Sequence, residues 1–104
     1  MATPIQIALS TGAAKFVFGG SGKVTSYSVY NPNTGAAYIQ FFDTLLGPTV
    51  GGTTPKWSVA IPAATTTQLR TEDVYFRDGL WLAATTAATT GATATGVDVS
   101  LGIT

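Results

Sequence analysis

The sequence predicts an all-β fold: a single antiparallel β-sandwich of about seven or eight short strands, with jelly-roll and immunoglobulin-like topologies both open. Three observations predict it. Apolar residues recur with a period of two and not 3.6, turn-forming Gly, Pro and Asn clusters break the pattern at short intervals, and no helical stripe of useful length is visible.

Taken in order, "PIQIAL" places Ile5, Ile7 and Leu9 on one face of a first strand. "KFVF" (Lys15 to Phe18) is a short strand, and "GGSG" (Gly19 to Gly22) reads as a flexible hairpin turn. "KVTSYSVY" follows, with Thr25, Tyr27 and Val29 sharing a face. At "NPNTG", Asn31 suits the first position of a type I turn, Pro32 has its φ preset for the second, and Asn33 tolerates the third. Gly35 is then free to take a positive φ before "AAYIQFFD" begins, so every residue of the corner has a local structural role.

A Gly/Pro/Thr loop runs from Thr44 to Pro55. "KWSVAIP" alternates cleanly, with Trp57, Val59 and Ile61 inward and Ser58 and Ala60 outward. "TTQLR" is a weaker strand. "VYFRDGLWLA" reads as a hairpin, because Asp78-Gly79 is a strong type I′ turn signal. That register sets Arg77 opposite Leu80, Phe76 opposite Trp81, and Tyr75 opposite Leu82. The Thr/Ala-rich stretch 83–96 starts as a strand end, to Thr86, and continues as a loop, since β-branched threonines oppose the helical preference of its alanines. "GVDVSLGI" closes the chain, with Val97, Val99, Leu101 and Ile103 on one face.

Two strands are apolar on both faces. Phe41 and Phe42 are adjacent and point opposite ways, and the hairpin carries Phe76 and Trp81 on one side with Tyr75, Leu80 and Leu82 on the other. A sandwich strand needs only one apolar face, so the second is expected to meet a loop or another subunit.

The chain fits one domain, residues 1–104, with an extended N-terminal segment 1–10. Charged residues are only 10% of it and cancel to zero, against about 25% in an average soluble domain. A surface so poor in charge, over a chain that is 45% hydrophobic, favours association: a homo-oligomer, dimer or trimer. The five cations (Lys15, Lys23, Lys56, Arg70, Arg77) are scattered, which argues against nucleic acid. No apolar run approaches the roughly 20 residues of a membrane helix, and the N-terminus lacks the basic and apolar regions of a secretion signal. Synthesis in the cytoplasm without secretion is the expectation.

Catalytic chemistry finds few candidates. With neither Cys nor His, disulfides, thiolate metal sites and histidine-based triads are excluded. "GGSGKVT" imitates a phosphate loop but has Val17 where the first Gly belongs and Val24 where Ser or Thr belongs, and a strand follows it instead of a helix. Glu72 and Asp73 are adjacent on a strand and point apart, a poor acid/base pair, and "TEDVYFRDG" is too thin in oxygen ligands for calcium. Trp57 and Trp81 lie in alternating apolar runs and read as core more readily than as a sugar-stacking platform. No cofactor, metal or small-molecule substrate is implied.

The succession "YNPNTGAAYIQFFD", a Gly/Pro loop, "VAIPA", "GLWLAATT" and a last alternating strand resembles, in layout, small proteins of tailed phages and prophages. The resemblance spans Val24 to the C-terminus and rests on no single sharp motif. It implies a virion structural component, best matched in size and composition by capsid decoration (cement) proteins, whose partners are the major capsid protein and further copies of themselves. A carbohydrate- or receptor-binding β-sandwich of a tail or fibre appendage, or a tail-tube or neck component, are the alternatives. Candidate interface residues are Ile5 and Ile7 in the N-terminal segment, Leu45, Leu46 and Val50 in the loop Leu45 to Thr54, and Tyr75, Leu80 and Leu82 on the second face of the hairpin.

Overall fold

A computed structural model of the chain describes residues 3–9, 14–50, 52–86 and 97–104, with backbone alone at 3, 4, 8 and 67–73. Among the described residues there are eight strands: β1 (Thr3–Leu9), β2 (Lys15–Gly19), β3 (Gly22–Asn31), β4 (Ala37–Asp43), β5 (Trp57–Ile61), β6 (Thr65–Phe76), β7 (Gly79–Thr85) and β8 (Val97–Ile103). They form two four-stranded antiparallel sheets, ordered β1-β8-β3-β6 and β2-β7-β4-β5. This is the strand order of a jelly roll. An immunoglobulin-like sandwich would keep the first two strands in one sheet; here β1 and β2 lie in opposite sheets.

The topology follows from one long hairpin. Pairs β1·β8, β2·β7, β3·β6 and β4·β5 are its successive rungs, and the loop between β4 and β5 is its tip. Rolling the hairpin up adds the lateral pairings β8·β3 and β7·β4, which close the sheets. Both arms therefore bend together wherever the ribbon passes from one sheet to the other. Gly19 pairs with Gly79 and Gly22 with Phe76, while the Gly20 N–H donates to the Asp78 carbonyl at 3.0 Å, so the ladder continues through the bend. At the next bend, Asn31 pairs with Thr65 and Ala37 with Ile61, with the Ala64 N–H donating to the Asn33 carbonyl at 3.1 Å between them.

Two sequence expectations are corrected by this arrangement. "GGSG" and Asp78-Gly79 are paired corners and not separate hairpin turns, because β2 and β3, like β6 and β7, lie in different sheets. Phe76 consequently does not pair with Trp81, nor Tyr75 with Leu82. Once the chain crosses, the inward sides of β6 and β7 face each other, so Phe76, Leu80 and Leu82 all enter the core. Tyr75 and Trp81 lie outside it, on opposite sheets.

The core is the inner faces of both sheets: Leu9, Val24, Tyr27, Val29, Ile39, Phe41, Ile61, Phe76, Leu80 and Leu82, closed by Val97, Val99 and Leu101. The alternation expected for β1, β5 and β8 is present. In β3 a bulge at Thr25 replaces that residue with Val24 on the inner face, and the Thr25 hydroxyl donates instead to the Gly102 carbonyl at 3.2 Å. Aromatic rings cross the interior in sequence. Tyr27 meets Trp57 edge-on at 5.9 Å, Trp57 stacks on Phe41 at 4.5 Å, Phe41 lies 6.3 Å from Phe76, and Phe76 meets Phe18 edge-on at 6.3 Å. Such pairs add about 0.5–1.5 kcal/mol each beyond their buried area. "TTQLR" and the first half of "VYFRDGLWLA" are one twelve-residue strand, interrupted only by a register shift opposite Val24 and Ser26.

Of the segment 1–10, Thr3–Leu9 is an integral edge strand, paired with β8 along its whole length and anchored by buried Leu9, so it is not a free arm. Residues 1, 2 and 10 lie outside the described residues, as do residues 87–96 of the Thr/Ala-rich loop.

Candidate interaction surface

Rolling the ribbon gathers three connections at one end of the sandwich: the bend at Gly20, the tip loop between β4 and β5, and the bend at Arg77 and Asp78. The tip loop is built from its own polar groups. The Thr44 hydroxyl donates to the Leu46 carbonyl, the Gly52 and Thr53 N–H groups donate to the Thr49 carbonyl, and the Thr49 N–H returns to the Thr53 hydroxyl. Lys56 N–H to the Phe41 carbonyl, 2.8 Å, closes its base. The loop held this way leaves its two leucines on the outside. Leu45 is 61% and Leu46 78% exposed.

Asp43, at the end of β4, ties the tip to the neighbouring bend. Its carboxylate accepts the backbone N–H of Arg77 at 2.9 Å and of Asp78 at 2.8 Å, with Gly79 at 3.4 Å, and Lys56 Nζ lies 3.5 Å away. Burial pushes this carboxyl's pKa up, but the backbone donors and the Lys56 charge more than offset it and hold the group below its ordinary 3.8. Three consecutive N–H groups are thus satisfied by an internal anion, which is a structural use of the site.

Between these connections lies a shallow groove of about 500 Å³, lined by Gly20, Thr44, Leu45, Leu46, Arg77 and Asp78. The apolar surface continues past it onto sheet β2-β7-β4-β5. Leu45 Cδ1 and the Phe16 ring both lie 3.6 Å from where a side chain on Gly19 would begin, and Phe16 meets Trp81 edge-on at 5.4 Å. Phe16, Trp81 and Phe42 occupy one row across β2, β7 and β4 on the outer face. Gln40, whose amide donates to the Thr85 hydroxyl at 3.0 Å, shares that face, where Phe42, Gln40, Ala83 and Thr85 are all buried. The other sheet presents Gln6, Asp98, Ser100, Ser26, Ser28 and Tyr30 outward. The expectation of strands apolar on both faces therefore holds for β4, and part of the second face meets a loop: Gly47 packs over the Trp81 ring.

The sequence-derived interface residues separate into four groups. Leu45 and Leu46 stand exposed together at the hairpin tip, with Val50 half-buried in the same loop. Tyr75 is 64% exposed on the opposite sheet, where Lys23 Nζ lies 5.5 Å from its ring centroid. Ile5 and Ile7 are half-buried on the inner side of β1, and Ile7 packs on the core. Leu80 and Leu82 are wholly buried in the core, which removes them from any surface. Phe16 and Trp81 belong to the patch but escaped the sequence reading: the bulge between Phe16 and Phe18 turns Phe16 outward, against the strict alternation of "KFVF". Trp57 is in the interior stack as expected, whereas Trp81 is not core.

The corner at Asn31 is a latch. Its buried amide donates to the carbonyls of Gly35 (3.0 Å), Ile61 (3.2 Å) and Pro62 (3.3 Å), and its oxygen accepts from the Asn33 backbone at 3.0 Å. Gly35 is not among the positive-φ residues, so the expected left-handed glycine is not found there; its carbonyl accepts from the Asn31 amide. Among the described residues no three Asp, Glu, His or Cys gather into a metal site, and no helix is long and apolar enough to cross a membrane. Glu72 and Asp73 are described in backbone only. Comparison of the chain with protein-family models, with curated proteins and with solved structures gives no match in any of the three.

Proposed function

We propose that the chain is a non-enzymatic structural protein of a phage virion, a decoration protein that binds the assembled capsid and stabilises it. The observation that carries this reading is the strand order, since the eight-stranded jelly roll is an architecture of viral shell proteins. Fold alone does not fix function, and the layout resemblance and the low charge supply the rest of the argument. A protein that binds the assembled shell and not its free subunits stabilises the shell by mass action, without any catalytic group. Strand β1 suits the shell contact: among the described residues it is a sheet edge paired on one side only, and it carries no charged residue to discourage strand addition.

The test is co-sedimentation of the purified protein with emptied capsids of a host phage, repeated with Gln6→Lys, which puts a charge at an exposed position of edge strand β1 and leaves Leu9 in the core. Saturable binding that the substitution weakens, with the fold confirmed by circular dichroism, supports the reading. Failure to sediment with any particle, and absence of the protein from purified virions, would sink it.

A glycan-binding module of a tail or fibre is the second reading, favoured by one observation: Phe16, 54% exposed, extends an aromatic surface from Trp81. Oligosaccharide-induced changes in tryptophan fluorescence that vanish in Phe16→Ala would move the assignment there.

A further inference from the structure

We infer that the hairpin-tip end is the two-fold interface of a homodimer. This stands independently of the virion reading.

Three features of that end are self-complementary. First, a knob and a hollow lie side by side: Leu46, 78% exposed, lines one side of the groove of about 500 Å³ that Gly20 and Thr44 also line. A two-fold axis is the operation that places the knob of each copy in the hollow of the other, because an isologous interface pairs one patch with itself. Second, the groove is bordered by one cation and one anion, adjacent in sequence. Arg77 and Asp78 are both exposed, and neither side chain has a partner among the described residues. Their backbones are already fixed, Arg77 and Asp78 by Asp43 and the Asp78 carbonyl by Gly20. Both side chains therefore leave from a bend whose backbone is held in place. Across a two-fold axis Arg77 of one copy faces Asp78 of the other, twice, around an apolar centre of Leu45 and Leu46. Third, the chain has zero net charge, so two copies approach without long-range repulsion.

A partner of other chemistry explains less. A basic or acidic partner would leave one member of the Arg77–Asp78 couple facing a like charge, and a purely apolar ligand would bury both without compensation.

Sedimentation equilibrium of the full chain tests the inference, on wild type, Leu46→Glu, Arg77→Asp and the double exchange Arg77→Asp/Asp78→Arg. The expected result is a concentration-dependent dimer that Leu46→Glu and Arg77→Asp each weaken at least about tenfold, roughly 1.4 kcal/mol. The double exchange should restore wild-type association, since it re-forms opposite charges across the axis. All three positions are exposed, and far-UV circular dichroism confirms that the variants fold. A wild type that stays monomeric up to about 1 mM, a trimer or ring, or a dimer indifferent to Leu46→Glu each overturns the inference. So does a double exchange no better than Arg77→Asp alone. A monomer whose capsid binding is lost in Leu46→Glu would give the surface to another protein, overturning the dimer while leaving the virion reading intact.

Discussion

Asp43 holds Arg77 by its backbone and not by its charge: the carboxylate accepts the Arg77 N–H at 2.9 Å, and continues to Asp78 at 2.8 Å. One side chain at the end of β4 thereby fixes the bend that leads into β7, in the same sheet but distant in sequence. Replacing Asp43 with Asn keeps one acceptor and loses the charge, and should destabilise the fold by about 1–2 kcal/mol at neutral pH. Urea unfolding measures this directly.

The same carboxylate sets an acid dependence. Its folded pKa lies below the ordinary 3.8, because the backbone donors and Lys56 outweigh burial. A depressed folded pKa contributes stability that is fully present above the unfolded value and is lost as pH falls through the folded value. The urea midpoint of the wild type should therefore drop below about pH 4, and that drop should be smaller in Asp43→Asn. Parallel profiles for the two proteins would show that Asp43 is not the group responsible.

Asn31 is the latch of the other bend. As a buried amide it gives two N–H donors to three carbonyls and accepts from Asn33, a division of roles that neither a carboxylate nor a methyl group can copy. Asn31→Ala should cost about 2–4 kcal/mol by leaving the Ile61 and Gly35 carbonyls short of a donor. Asn31→Asp should be at least as damaging, since it sets a buried anion against those same carbonyls. Chemical denaturation of both variants checks the order; a mild Asn31→Asp would mean that the donors are dispensable.

These two residues show what the sequence could and could not disclose. The strands were legible, because period-two alternation is local and each of β1, β5 and β8 carries it without interruption. Their pairing was not. A Gly-rich or Asp-Gly stretch is suited equally to a two-residue hairpin and to a corner of a rolled ribbon, and only long-range pairing distinguishes them. Gly19 meeting Gly79 across the bend leaves no trace in either local sequence. With β6 and β7 read as one hairpin, Leu80 and Leu82 fall on the face opposite Phe76, although all three are core. Leu45 and Leu46 were legible for the converse reason, since a Gly/Pro/Thr loop offers no regular face on which to bury them. Bulges hid the remainder, turning Phe16 out of the core and Val24 into it.

The bend also divides the glycines. A Cβ on Gly79 would stand 2.7 Å from the Thr44 carbonyl oxygen and 2.9 Å from that of Phe18, both backbone atoms that cannot swing aside, whereas one on Gly35 would meet nothing within 4 Å. Gly79→Ala should therefore destabilise by about 2–3 kcal/mol, and Gly35→Ala should be neutral or stabilising by a few tenths through the unfolded chain. Melting temperatures of the two variants read the contrast, and equal effects would show that the close approach at Gly79 relaxes freely.

Phe41 and Phe42 offer the sharpest test of the two-sided sheet. They are neighbours pointing to opposite faces, one into the sandwich core and the other away from it, yet both are fully buried. If the outer face of β4 were ordinary sandwich surface, Phe42→Ala would be nearly silent. Because Phe42 shares its row with Trp81, beneath the Gly47 turn of the tip loop, its truncation should cost about 3–5 kcal/mol, in the range of Phe41→Ala. Trp81→Phe should be far milder. The indole N–H it removes is buried and has no partner among the described residues, so the loss of ring contacts is partly offset by the removal of an unsatisfied donor, leaving a change within about 1 kcal/mol. Urea unfolding of the three variants decides the matter. A silent Phe42→Ala would mean that the loop does not hold the outer face closed in solution, and a severe Trp81→Phe that the indole N–H has found an acceptor.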